Sequence, residues 1–264
     1  MEYVLLAFIA YCPAIFYMLY IIAFDHRKPE PPRALLISAF WDIITAMVVV
    51  SLYMDNSVAH VADGHNFKDS LTIGFLKLAL PSEIAKWLVL CVFLSLNRFY
   101  DEYIDGIVYS VCLSMGYAGI LGAWIMACYL DESFTTLLEM GAITIFVLIP
   151  IHFISGTIMG YYLGLARKRK KIQNHVLALF LPILINGMLG SIVLMIGNHW
   201  EYYFVVGVVF TILAMVIYTQ IYHLLELDEK TKVQIFRSLI GCTFNESLVD
   251  DAFRRYYKWI NSHI

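Results

Sequence analysis

Seven times along this chain of 264 residues, an apolar block of about 20 residues or more recurs with few charges inside it. That repeat constrains the fold more than any other feature. A helix rising ~1.5 Å per residue needs about 20 residues to cross a hydrocarbon core of about 30 Å. Inside lipid no water is present to satisfy backbone groups, so a spanning segment must close its own hydrogen bonds as a helix. The blocks are approximately Tyr3–Phe24, Ala34–Met54, Leu71–Leu96, Ile107–Leu130, Thr135–Leu165, Val176–Gly197 and Tyr202–Leu225. Composition agrees: 61% of residues are hydrophobic and 15% charged, against about half and a quarter in soluble domains. The expected fold is all-α, a polytopic membrane helical bundle of about seven spans over residues 1–225, followed by a short cytosolic helical tail over 226–264. The fifth block is long, so it must tilt, break at Pro150 or emerge from the bilayer.

Lys and Arg accumulate in cytoplasmic loops. Here they cluster in the first loop (Arg27, Lys28, Arg33), the third (Arg98) and the fifth (Arg167, Lys168, Arg169, Lys170, Lys171), while the fourth and sixth have none. Seven spans with the N-terminus outside put those loops and the tail in the cytoplasm. The N-terminus lacks a basic n-region and a small-residue cleavage site, so the first block reads as a retained span. Cys12, Cys91, Cys112, Cys128 and Cys242 form no CxxC and read as small buried hydrophobes. In the tail, Thr231–Gly241 and Asn245–Ile260 carry apolar residues at helical spacing and are expected as two short helices. The partner expected on these grounds is the bilayer, not nucleic acid; the oligomeric state is open.

Polar residues inside the blocks are the candidates for function. A charged side chain at membrane depth costs roughly 2.5–3.5 kcal/mol on insertion scales. Glu83 and Lys86 lie in one block, three residues apart and therefore on one helix face. The bland reading is a neutral ion pair; the alternative is chemistry. Pro81 just before them opens the helix, a common device where a helix lines a cavity. Asp105-Gly106 begins the fourth block, where a carboxylate complements the helix dipole. His152 follows Pro150 by two residues, Asn186-Gly187 lies within the sixth block, and Asp42 lies within the second. His60, His65, His175 and His199 fall in loops or at span ends and read as solvated. A zinc hydrolase needs three protein ligands and an open position for water, whose proton a nearby carboxylate accepts. Glu83 and His152 supply two ligands, or one ligand and a base.

The ordered set resembles the PrsW family of intramembrane metalloproteases, relatives of the CAAX prenyl-protease and bacteriocin-processing group. Asp25-His26-Arg27-Lys28-Pro29-Glu30-Pro31-Pro32-Arg33 resembles that family's charged Pro-Glu-Pro loop. Pro81-Ser82-Glu83-Ile84-Ala85-Lys86 matches the position of its Glu-Glu-x-x-Lys motif. Asp105-Gly106-Ile107-Val108-Tyr109 is similar to its DGIVYG segment, and His152 with Gly160-Tyr161-Tyr162-Leu163-Gly164 to its histidine-bearing span. The resemblance runs over roughly residues 3–197. It implies Glu83, Lys86 and His152 as catalytic residues, Glu83 and His152 as metal ligands, and Ser82, Asp105 and Asn186 as associated with the site.

Departures fall on the catalytic positions. Ser82 stands where the family has its first glutamate. Tyr117-Ala118-Gly119-Ile120-Leu121 occupies its Phe-x-x-x-Glu motif, so Leu121 replaces a glutamate. Asn186-Gly187-Met188-Leu189-Gly190 occupies its His-x-x-x-Asp motif, so Asn186 and Gly190 replace both ligating types. His175 is the other histidine that could serve that motif. Three readings follow: a metal-dependent peptidase acting on membrane-anchored proteins, with zinc as its cofactor; an eroded homologue that binds such proteins without cutting and holds no cofactor; or a transporter or proton-linked carrier using Asp42, Glu83, Lys86 and His152.

Overall fold

A computed structural model describes residues 2–25, 30–53, 66–196 and 203–241, and no strand occurs among them. The helices are α1 (Glu2–Phe24), α2 (Pro32–Tyr53), α3 (Phe67–Thr72), α4 (Leu80–Leu96), α5 (Asp105–Cys128), α6 (Phe134–Ile143), α7 (Ile149–Arg169), α8 (Ile172–Ile196) and α9 (Tyr203–Gly241). Six stretches are long and apolar enough to cross a membrane, starting at Pro32, Phe67, Asp105, Phe134, Ile172 and Val208, and α1 contributes a shorter apolar run over Tyr11–Phe24. The protein is an all-α integral membrane protein, and each expected block corresponds to one of these stretches.

Two of the stretches are composite. A π-helical turn, Ile73–Ala79, joins α3 to α4, and a second, Thr144–Leu148, joins α6 to α7. Each is followed at once by a proline at the second position of the next helix, Pro81 and Pro150. Proline has no N–H, and its ring collides with the carbonyl four residues back. The wider π turn, closed by Leu80 N–H to Phe75 O and by Ile149 N–H to Thr144 O, accommodates that collision without breaking the helix. The long fifth span therefore neither breaks nor stops at Pro150; it changes winding just before it.

Residues 1–221 form one compact unit and residues 222–264 a second. In the first, α5 is the axis, packed by α1, α2 and α7. Small residues make this possible: the α carbons of Gly106 on α5 and Gly160 on α7 face each other's backbone, and a methyl group at either would collide with it. In the second, the described residues continue α9 to Gly241, with an exposed Glu226–Lys230 pair one turn apart at 2.6 Å. Thr231–Gly241, expected as a separate short helix, is the end of α9. The expected helix Asn245–Ile260, loop residues 26–29, and His60, His65 and His199 lie outside the described residues, as does the side chain of Asp42.

Candidate functional site

The two π turns deliver the two candidate helices in the same way. Glu83 and His152 each stand two residues after the proline that follows a π turn, and such turns in helices often accompany functional sites. The side chains of Glu83 and Lys86 are fully buried, and Lys86 Nζ lies 2.7 Å from Glu83 Oε1. Lys86 also donates to Ser155 Oγ at 3.1 Å and sits 3.2 Å from His152 Nδ1. Asn186 Nδ2 reaches across from α8 to the same Glu83 Oε1 at 2.8 Å. The Tyr117 ring stands edge-on to His152, centroids 5.1 Å apart, with the ammonium 5.6 Å from its centre. Glu83 Oε2 is buried without a hydrogen-bond partner.

A lysine ammonium only donates, so His152 Nδ1 accepts. A neutral imidazole that accepts at Nδ1 carries its proton on Nε2, and this assignment follows from the network. In that tautomer neither ring nitrogen offers a free lone pair.

Beside this network lies a cavity of about 90 Å³, lined by Ser82, Tyr117, Leu121, His152, Asn186 and Gly190 together with apolar side chains such as Ile125 and Val147. It has room for several waters, since one needs only about 10–15 Å³ of such volume. Every family-motif position that differs here meets in this one chamber. Ser82 Oγ is turned onto its own helix, donating to Leu78 O at 2.7 Å and Ala79 O at 3.1 Å. His175 lies at the start of α8, 11 residues and about 16 Å along the axis from Asn186. Asn186 lines the cavity and His175 does not.

The residues present do not fit a hydrolytic zinc. Such a site takes three nitrogen, oxygen or sulfur ligands. Among the described residues, Glu83 and His152 are the only carboxylate and imidazole here, 3.9 Å apart with Lys86 bridging them, and Leu121 and Gly190 offer no donor. Among the described residues, no three carboxylate, imidazole or thiol atoms converge at Glu83 and His152.

Asp105 belongs elsewhere, and its expected association with this site is corrected. It begins α5, and its Oδ2 accepts the amides of Asp101 at 2.8 Å and Glu102 at 2.6 Å. It thus reaches back into the loop rather than capping forward. Carboxylate oxygens of Asp25, Glu102 and Asp105 lie within 4.8 Å of one another. Beside them the Tyr109 hydroxyl donates to Glu30 Oε2, and the Glu30 amide donates to Asp25 Oδ2 at 3.2 Å. Burial first, then the charges of Asp105 and Asp25, push the Glu30 carboxyl up to about 8 against the opposing pull of the Tyr109 bond. Ser155 and Tyr117, by contrast, were not expected at the site. Ser155 had a signal, standing one helical turn after His152; Tyr117 occupies the aromatic position of a family motif.

The family model described as PrsW family intramembrane metalloprotease matches residues 30–221. The chain belongs to the PrsW family. Its relatives include Protease PrsW of Bacillus subtilis, 29% identical over 75% of this chain and 86% of that one. Protease PrsW of Clostridioides difficile is 26% identical over 85% and 89%, and that of Oceanobacillus iheyensis 30% identical over 67% and 77%. No solved structure matches the chain. Within the PrsW-matched residues, Ser82, Leu121, Asn186 and Gly190 all line the one cavity.

Proposed function

We propose that this PrsW-family protein works without zinc, holding membrane-anchored proteins through its intramembrane cavity rather than cutting them. One observation carries the reading. Lys86 bonds Glu83, Ser155 and His152 together, so the two remaining donors of the family's site are tied into an ion-pair network. The apolar lining and the polar Ser82, His152 and Asn186 of the cavity suit a side chain of a transmembrane segment. On this reading the protein lies in a bacterial plasma membrane with its N-terminus outside, a topology supported by the bias of Lys and Arg among the loops.

The test has two parts. Metal analysis of the purified full-length protein is expected to find well under one zinc per chain, with Protease PrsW of Bacillus subtilis as the parallel sample. Protein termini are then compared between cells carrying the wild type and cells carrying Glu83→Ala or His152→Ala, and no cleavage is expected to depend on either residue. One equivalent of zinc that disappears in His152→Ala, or a cleavage that requires Glu83, overturns the proposal.

A further inference from the structure

The outer face of the bundle carries a second recess, far more open than the motif cavity. It is a groove of about 800 Å³ between α2 and α4. Its walls include Ile37 and Trp41 on α2 and Val92 and Leu96 on α4, which are 50%, 50%, 59% and 81% exposed. Its polar end holds Arg33, the second residue of α2, and Arg98, just past the end of α4. Both arginines are exposed, and neither has a carboxylate partner among the described residues; Arg98 rests 4.8 Å from the ring of its neighbour Phe99.

We infer that this groove is a binding site for an anionic phospholipid, its phosphate held by Arg33 and Arg98 and an acyl chain lying along the α2–α4 wall. The argument is one of charge and length. Two guanidinium groups at one membrane boundary, without acidic partners among the described residues, present paired N–H donors whose geometry matches a phosphate. From Arg33 to Trp41 and from Arg98 to the Leu88 level, the walls run about 12–15 Å along their helices. That is close to one leaflet of a hydrocarbon core about 30 Å thick. A basic pocket between transmembrane helices is a known form of anionic headgroup site. A protein segment is the rival occupant, but it would need acidic residues placed at the boundary and an apolar stretch below.

Native mass spectrometry of the full-length protein, released from micelles containing dioleoyl phosphatidylglycerol or dioleoyl phosphatidylcholine, tests this. The wild type is expected to retain one phosphatidylglycerol and not phosphatidylcholine. The variant Arg33→Gln/Arg98→Gln should lose retention by roughly thirtyfold, at about fivefold for each arginine near the surface. Val92→Trp keeps both arginines but puts a bulky ring on the groove wall where the acyl chain would lie, and it should lower retention as well. The control Lys68→Gln removes an exposed lysine at the opposite end of the Phe67–Leu96 span and should retain the lipid fully. Circular dichroism and unfolding midpoints verify that each variant is folded, and Arg98→Gln alone serves if the double variant is not. Equal retention of the two lipids, unchanged retention in the arginine or Val92 variants, or an equal loss in the control overturns the inference. A photo-crosslinker at Leu96 in phosphatidylglycerol vesicles should yield a lipid adduct; a polypeptide adduct there also overturns it.

Discussion

A lysine ammonium has three protons and no acceptor, and Lys86 directs them to Glu83, Ser155 and His152. Removing one partner of a buried pair costs roughly 3–5 kcal/mol, because a charge is left stranded, whereas replacing both is often close to neutral. Glu83→Gln is therefore expected to lower stability by about that amount, and Glu83→Gln/Lys86→Met to recover most of it; unfolding titrations in detergent measure both. The zinc-free reading adds a gain-of-function test. A chain carrying Ser82→Glu, Leu121→Glu, Asn186→His and Gly190→Asp is expected to acquire about one zinc, read by metal analysis. The Gly190 position has room, since a methyl group there meets nothing nearer than 3.9 Å. The pairing of Glu83 with Lys86 was legible in the sequence, because three residues make most of a helical turn. The rest of the network was not: the His152 and Ser155 contacts join residues 66 and 69 positions apart. No periodicity encodes such a contact; Asn186 stood out as a polar residue within a span, and only the family register pointed to Leu121.

Spans were legible at the level of the element, because a bilayer sets a minimum apolar length and forbids open backbone. The π turns were not, although Pro81 and Pro150 marked their sites; a proline announces a disturbance, and packing chooses its form. Nor did the sequence separate Thr231–Gly241 from α9, since an amphipathic pattern continues a helix as readily as it starts one. The crossing of α5 and α7 yields a sharper expectation. At Gly160, a methyl group would press on the backbone of Gly106 and Ile107, which cannot rotate away as a side chain can. Gly160→Ala should cost at least the roughly 1–3 kcal/mol typical of overpacking, seen as a lower unfolding midpoint. Gly190→Ala, whose site is open, should cost far less.

At the scale of the molecule, most of the buried charged groups among the described residues lie in two places: the Glu83 network within the spans, and the carboxylate cluster joining the loop before α2 to the start of α5. The second sets a pH dependence. Glu30 ordinarily titrates near 4.5 and is raised to about 8 in the folded protein. Between those values the folded state holds the proton and the unfolded state releases it, so stability falls as pH rises from about 5 to 8. The unfolding midpoint in detergent should decline across that range, and Glu30→Gln should flatten the decline. The paired π turns have a mechanical consequence. Each places a loosely wound, five-residue hydrogen-bond ring between an outer half-helix, α3 or α6, and the half that bears Glu83 or His152. If the ring acts as a torsional joint, then when the bilayer thickens or thins and the outer halves tilt to match it, the twist should gather there; spin labels on α3 and α4, compared in thin and thick bilayers, are expected to move relative to each other while labels on α4 and α7 beside Lys86 keep their spacing.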